Sequence, residues 1–257
     1  MSDVNIPNSL WPLSLNRFDI TLPAATENLA LDEVLLNAVE TDPTAACLRF
    51  WSPSEYFVVL GRSNRVETEV DLARCQVEGV PVYRRSSGGG TVVVGPGCLC
   101  YSLALPLTAD LRHLGISHVT ARLMNKTAEG LRVIQPEIEV CGTSDLVRAG
   151  KKFSGNAQRW LRNSFVHHGT LLFDFDLTRI ERYLRHPSRE PNYRESRRHS
   201  EFVGNLAMTS DELKRAITDV WNGAITGCPQ SMIDSARALA ESRYKSGEWR
   251  IDESVRN

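Results

Sequence analysis

The sequence predicts an α+β fold, a mixed and largely antiparallel sheet flanked by helices. Strand-like runs crowd the middle of the chain, helical periodicities occupy both flanks, and the two do not alternate as a βαβ array would require. With 257 residues, 42% of them hydrophobic and 24% charged, the chain can bury a substantial core without disulfides or metal. No repeat, low-complexity stretch or Gly/Ser/Pro linker divides it, so one domain over residues 1–257 is expected.

The elements follow in order. ATENLALDEVLLNAVE sets Leu29, Leu31, Val34, Leu35 and Val39 at mostly helical spacing, with Thr26 as the expected N-cap. CLRFWSPSEYFVVLGRSN carries two β-rich runs about Pro53-Ser54 and reads as a hairpin ending in a glycine turn. A helix is expected over Glu67–Glu78, then strands at Val80–Tyr83, Thr91–Val94 and Leu99–Leu105, joined by a triple-glycine turn and by Gly95-Pro96-Gly97. A helix over Ser117–Leu131 precedes a second strand cluster in which Gly150 and Gly169 are expected to punctuate turns. Helical segments near Thr178–Leu184, Ser210–Trp221 and Met232–Tyr244 close the chain.

Charge and composition exclude several classes of function. Thirty basic residues against 31 acidic give a formal charge of −1, which recommends no polyanion, so nucleic acid is not an expected partner. Apolar runs fall well short of the roughly 20 residues of a membrane span. MSDVNIPNSLWPL lacks the basic start and apolar stretch of a secretory leader, so a cytoplasmic protein with no membrane partner is expected. Six scattered cysteines fit no zinc-ligand spacing and read as reduced thiols.

Three segments could carry chemistry. In Arg84-Arg85-Ser86-Ser87-Gly88-Gly89-Gly90, exposed backbone N–H groups and adjacent guanidiniums suit an anion, while a flexible hairpin tip explains the glycines equally well. Gly150-Lys151-Lys152-Phe153-Ser154-Gly155 could hold a compact positive charge over a phosphate, although in isolation it reads as a solvated turn. In Phe165-Val166-His167-His168-Gly169 the paired histidines face opposite sides of a strand and cannot chelate one ion; one is expected to pack and the other to be exposed.

Together these segments resemble the biotin/lipoate protein ligase superfamily, in its lipoate-protein ligase A branch. ENLALDEVL resembles the family's opening helix, and VVLGRSNRVETEVD its Gly-Arg turn. RRSSGGGTV is similar to RRxSGGGAV, GKKFSGNAQ to RKxSGxA, and HHGTLLFD to HHGTLL; SRYKSGEWR resembles the family's closing segment. The resemblance implies a class II synthetase-like catalytic domain that activates lipoate or octanoate with ATP and Mg. The acyl group would pass to a lysine on lipoyl domains of 2-oxoacid dehydrogenases or on the glycine-cleavage H protein. It places Arg85, Gly88, Gly89, Gly90, Thr91, Val92 and Val93 on the nucleotide, with Lys152 between acyl carbonyl and phosphate. Asp145 would lie toward the adenylate and a possible Mg, and Arg84, Ser87, Gly155 and His168 toward the acyl substrate.

Two other readings remain. Val93-Val94-Gly95-Pro96-Gly97 is similar to octanoyltransferase relatives, which would take the acyl group from an acyl carrier protein through Cys141 as nucleophile. A non-catalytic acyl- or nucleotide-binding relative is the third, against which the joint presence of Arg85, the glycine loop and Lys152 argues. Only about 50 residues follow Asn205-Leu206, so the C-terminal accessory domain of long ligases is expected to be absent, its role left to a separate accessory subunit or not needed. Seven arginines against three glutamates between Arg179 and Arg198 suggest a solvated face or, beside the site, a surface for an acidic carrier or a cover for the adenylate.

Overall fold

The computed structural model describes residues 10–187, 189–245 and 247–251. Residues 1–9, read above for a leader, and Ser246 within SRYKSGEWR lie outside them. The first half runs β1 (Leu15–Asp19), α1 (Ala25–Thr41), β2 (Cys47–Trp51), β3 (Phe57–Leu60), α2 (Val66–Glu69), α3 (Leu72–Glu78), β4 (Val82–Arg84), β5 (Val92–Val94) and β6 (Cys98–Pro106). The second half runs α4 (Ala109–Arg132), β7 (Glu139–Cys141), β8 (Asp145–Arg148), β9 (Lys151–Trp160), β10 (Ser164–Leu172), α5 (Thr178–Tyr183), α6 (His199–Phe202), α7 (Ser210–Trp221), β11 (Gly223–Ile225) and α8 (Gln230–Leu239).

Eight strands form one sheet in the order β11-β1-β2-β6-β10-β9-β8-β7, and three form a second in the order β4-β3-β5. β1 pairs parallel with β11 and β2, and β3 parallel with β4; the other pairings are antiparallel, so the sheets are mixed as expected. Alternation along each central strand divides the core in two. On β2 and β6, Leu48, Phe50, Leu99, Tyr101, Leu103 and Leu105 pack with α4 and α7, whereas Cys47, Trp51, Cys98, Cys100 and Ala104 pack with α1, α8 and the small sheet. With both faces covered, β2 is buried at all five positions, and no polar alternation marks it in the sequence.

Several expectations need correction. β2 and β3 are not a hairpin, because the chain at Pro53-Ser54 leaves one sheet for the other. Ala24, not Thr26, caps α1: Glu27 accepts from the Ala24 N–H, Asn28 donates to Leu22 and Ala24 carbonyls, and Thr26 is buried. The helix expected over Glu67–Glu78 is split at Val70-Asp71. α4 begins eight residues before Ser117 and kinks at Gly115, whose φ of 75° only glycine adopts easily. The last helix narrows to α8, followed by a wider π-type turn over Ala240–Tyr244. Gly150 does turn the chain, with φ 72°, but Gly169 sits inside β10, where a Cβ would meet Asn156 Oδ1 at 1.8 Å. Among the described residues, no helix is long and apolar enough to cross a membrane.

Candidate active site

The triple-glycine segment joins β4 to β5 and folds back over the turn after β3. Arg62 N–H donates to the Ser87 carbonyl at 2.8 Å, and Gly61 lies so close beneath the loop that a Cβ there would stand 2.1 Å from Gly89 O. Gly89 itself has φ 87°, left-handed backbone that glycine supplies without strain. The two arginines before the loop hold it rather than reach outward. Arg84 donates to the carbonyls of Gly61, Arg62 and Asn64 (2.8–3.0 Å) and to that of Glu248. Arg85 is buried and donates to Ser87 Oγ (2.9 Å), Val59 O, Gly88 O (2.6 Å) and Gly90 O (2.8 Å). Burial pushes its guanidinium down to about 10, and the ring of carbonyls supplies the compensation that a carboxylate would elsewhere.

Lys152 stands on β9 opposite Val147 of β8, beside a register shift between Leu146 and Val147. Its Nζ lies 2.7 Å from Asp145 Oδ1, and Tyr193 Oη donates to Asp145 Oδ2 at 2.7 Å. Both carboxylate oxygens are therefore engaged, and the ammonium is held at the cleft surface. A Cβ on Gly155 would approach Lys152 Cε and Nζ to 3.4 Å, so the lysine lies across a bare stretch of backbone. Burial and the Asp145 charge push the Tyr193 hydroxyl up, which keeps it a donor.

The two histidines face opposite sides of β10. His167 is buried, and burial reinforced by His168 pushes it down to about 3, so it is neutral. It bonds Gln158 at 3.1 Å and Tyr101 Oη at 3.2 Å, and Tyr101 donates to Asn156 Oδ1 at 2.6 Å. The expectation that the second histidine is exposed fails, because the His168 side chain is only 11% exposed, held between α1 and the glycine loop. Its Nδ1 lies 2.8 Å from Asp32 Oδ2 and its Nε2 2.6 Å from Ser87 Oγ. Arg49, wholly buried on β2, donates to Asp32 Oδ1 at 2.8 Å. Burial alone would raise the Asp32 carboxyl; the hydrogen bond from His168 and the Arg49 charge outweigh it, and the net shift is downward.

Three clefts meet along β9. An apolar cleft of about 510 Å³ runs between α1 and the two sheets, walled by Leu29, Trp51, Val59, Val92, Val94 and Cys100, with Asp32, Arg85 and His168 as its polar wall. An open polar cleft of about 1250 Å³ has Gly88, Gly89 and Gly90 on one side and Thr143, Ser144, Asp145 and Lys152 on the other. The third, about 770 Å³, runs past Gly90, Thr91, Val92 and Val93 to Lys152 and the segment carrying Arg189 and Arg194. Gly155 borders all three, and Lys152 the latter two. Arg84 and Ser87, expected at the acyl substrate, line none of them.

Cys141 also stays outside these clefts, paired with Asp145 across β7 and β8. Burial, then the carboxylates of Glu139 and Asp145, push its thiol up, the opposite of what a nucleophilic thiolate needs. Sequence reading assigned no role to Asp32, Asn156 or Tyr193, and held Arg189 only as one of the seven arginines weighed beside the site. Asp32 carried a usable signal, since an acidic residue on the apolar side of a helix needs a buried partner; Asn156 and Tyr193 carried none. Of the arginine-rich segment, Arg194 and Arg197 stack on Phe202, Arg182 pairs with Glu78, and exposed Arg189 borders the second and third clefts. Among the described residues, no group of three or more His, Cys, Asp or Glu could hold a metal.

A family model described as the lipoyl protein ligase A/B catalytic domain matches residues 24–220. A probable lipoate-protein ligase A of Mycoplasma pneumoniae is 26% identical over 237 residues, 89% of this chain and 68% of that protein. Four further curated lipoate-protein ligase A relatives are covered over only 42% to 50%, so the chain spans about half the length of these four. A lipoate-protein ligase A crystallised with ATP superposes with a TM-score of 0.79 at 21% identity, over 91% of this chain and 98% of that one. The bi-partite lipoate protein ligase of Thermoplasma acidophilum, studied with its E2 lipoyl domain, gives 0.77 at 20%, over 92% and 96%. At one-fifth identity these two likenesses establish the fold, and with the match over residues 24–220 the chain belongs to the lipoyl protein ligase A/B catalytic domain family.

Proposed function

We propose that the chain is an ATP-dependent ligase that activates lipoate or octanoate and transfers the acyl group to a lysine of a lipoyl domain. The observation that carries this reading is the position of Lys152, which borders both the open cleft of the glycine loop and the third cleft, next to Gly155, which also borders the apolar one. An apolar acyl tail would fill the cleft walled by Leu29, Trp51 and Val94, bringing its carboxylate out beside Gly155. The glycine loop, which lines the open cleft, would receive the phosphates.

In the first step a carboxylate oxygen attacks the α-phosphorus of ATP and pyrophosphate leaves. In the second the neutral amine of the acceptor lysine attacks the acyl carbonyl, AMP leaves with the electron pair, and the nitrogen gives up one proton to water. Both steps build negative charge on oxygens between the two clefts, where the Lys152 ammonium is already fixed by Asp145 and so needs little reorganisation. Exposed Arg189, bordering the second and third clefts, adds a cation for the departing phosphates. Mg²⁺ is ordinarily held by one or two carboxylates together with substrate phosphates; Asp145 and Glu190 are the carboxylates lining the open cleft, and with both Asp145 oxygens already engaged by Lys152 and Tyr193 an ion would rest mainly on the phosphates. Bound there, the ion would neutralise phosphate charge.

Acceptors of this chemistry are lipoyl domains of 2-oxoacid dehydrogenases or the H protein. The bi-partite neighbour supports a separate accessory subunit. The test is the mass of an apo lipoyl domain incubated with the protein and either lipoate, octanoate and ATP-Mg, or octanoyl carrier protein without nucleotide. Acylation only in the nucleotide arm is expected. Acylation only from the carrier protein would establish the transferase instead.

A further inference from the structure

A continuous hydrogen-bonded chain crosses from the helical core to the glycine loop. Arg49 donates to Asp32 Oδ1 (2.8 Å), Asp32 Oδ2 lies 2.8 Å from His168 Nδ1, and His168 Nε2 lies 2.6 Å from Ser87 Oγ. Ser87 Oγ in turn accepts from Arg85 Nε (2.9 Å), whose far nitrogen clasps the carbonyls of Gly88 and Gly90. The Asp32 carboxylate accepts, so Nδ1 of His168 carries the hydrogen, and the Ser87 oxygen, which accepts from Arg85, closes the link to Nε2. Arg49, Asp32, Ser87 and Arg85 are all at least 92% buried, so water cannot replace a broken link cheaply.

The same three groups elsewhere would read as nucleophile, base and orienter. Ser87 is 1% exposed and borders none of the three clefts, which denies its oxygen a substrate. Asp32, His168 and Arg85, by contrast, form the polar wall of the apolar cleft, and the carbonyls that Arg85 grips belong to glycines lining the polar cleft. We propose that Asp32, His168 and Ser87 are positioning residues that act through Arg85 to hold Gly88, Gly89 and Gly90 in one conformation. The relay thereby ties the shape of the phosphate-facing loop to the wall of the acyl cleft.

That the loop meets phosphate rests on the ligase reading; that the relay orders the loop does not, and the experiment separates the two. Backbone ¹⁵N relaxation is measured on the ligand-free full chain as wild type, Ser87→Ala, Ser87→Thr and His168→Gln. Ser87→Ala and His168→Gln are expected to drop the Gly88–Gly90 order parameters from about 0.85 to below about 0.6 while α4 and α7 stay rigid, and Ser87→Thr, which keeps Oγ, to restore them. A serine with only a packing role would lower the melting temperature without loosening the loop selectively. Unchanged loop order in both Ser87→Ala and His168→Gln overturns the proposal whatever the protein catalyses. In a parallel titration, inorganic pyrophosphate is expected to bind Ser87→Ala about tenfold more weakly than wild type. No pyrophosphate binding to any variant, wild type included, would count against the ligase reading while the relaxation data still decide the relay.

Discussion

Replacing Lys152 by alanine separates chemistry from stability. The ammonium contributes to the fold one ion pair, 2.7 Å from Asp145, with side-chain exposures of 27% and 11% at an open cleft. Such a pair is worth about 1 kcal/mol or less, and Asp145 keeps its bond from Tyr193 when the lysine goes. The backbone bond from Gly204 N–H to the Lys152 carbonyl is untouched by the substitution. Stability should therefore change by no more than about 1 kcal/mol. Turnover should fall by about 10²–10³, the usual cost of removing one preorganised donor from a developing oxyanion. Lys152→Arg should fail nearly as badly, because a planar fork does not replace the compact point charge held 2.7 Å from Asp145. Single-turnover transfer to an apo lipoyl domain, followed by mass, gives the rate, and urea denaturation gives the stability. A folded Lys152→Ala protein with turnover within a few-fold of wild type would refute the assignment.

Other perturbations test other parts of the site. Gly61→Ala would put a Cβ 2.1 Å from Gly89 O, so the glycine loop must move by more than about 1 Å at a cost of about 1–3 kcal/mol; a wild-type urea midpoint and ATP KM would show that the loop is not seated as described. Burial would raise Glu33, but bonds from Arg159 and Arg243 outweigh it and its carboxyl is lowered from 4.5. Its stabilisation is therefore present above that value and lost as pH falls below it. The urea midpoint should drop less between pH 5 and pH 3 in Glu33→Gln than in wild type, and equal drops would contradict the pairing. Cys141→Ser should keep most ATP-dependent transfer and the wild type should form no hydroxylamine-sensitive acyl adduct, whereas an adduct at Cys141 would restore the thioester mechanism.

What was legible in the sequence was local. The spacing of Leu31, Leu35 and Val39 marks α1, the Gly-Lys-Lys and triple-glycine segments mark the cleft edges, and their order carries the family resemblance without a coordinate. The opposite facing of His167 and His168 also follows from strand geometry alone. Tertiary structure decided what depends on partners far along the chain. β1 and β11 are five and three residues long and pair across some two hundred positions, too short to show a period and too distant for any turn signal. β2 and β3 carry no polar alternation because both of their faces are covered, so nothing in CLRFW or FVVL reveals that they belong to different sheets. Arg49 reads as a surface residue until Asp32 and Asn28 are brought to it. Ser87, 81 positions from His168, reads as a substrate contact until the sheet sets it behind the loop with its hydroxyl on that histidine. A side chain's chemistry is written in its own letter, but its protonation, exposure and role come from the neighbours that folding supplies.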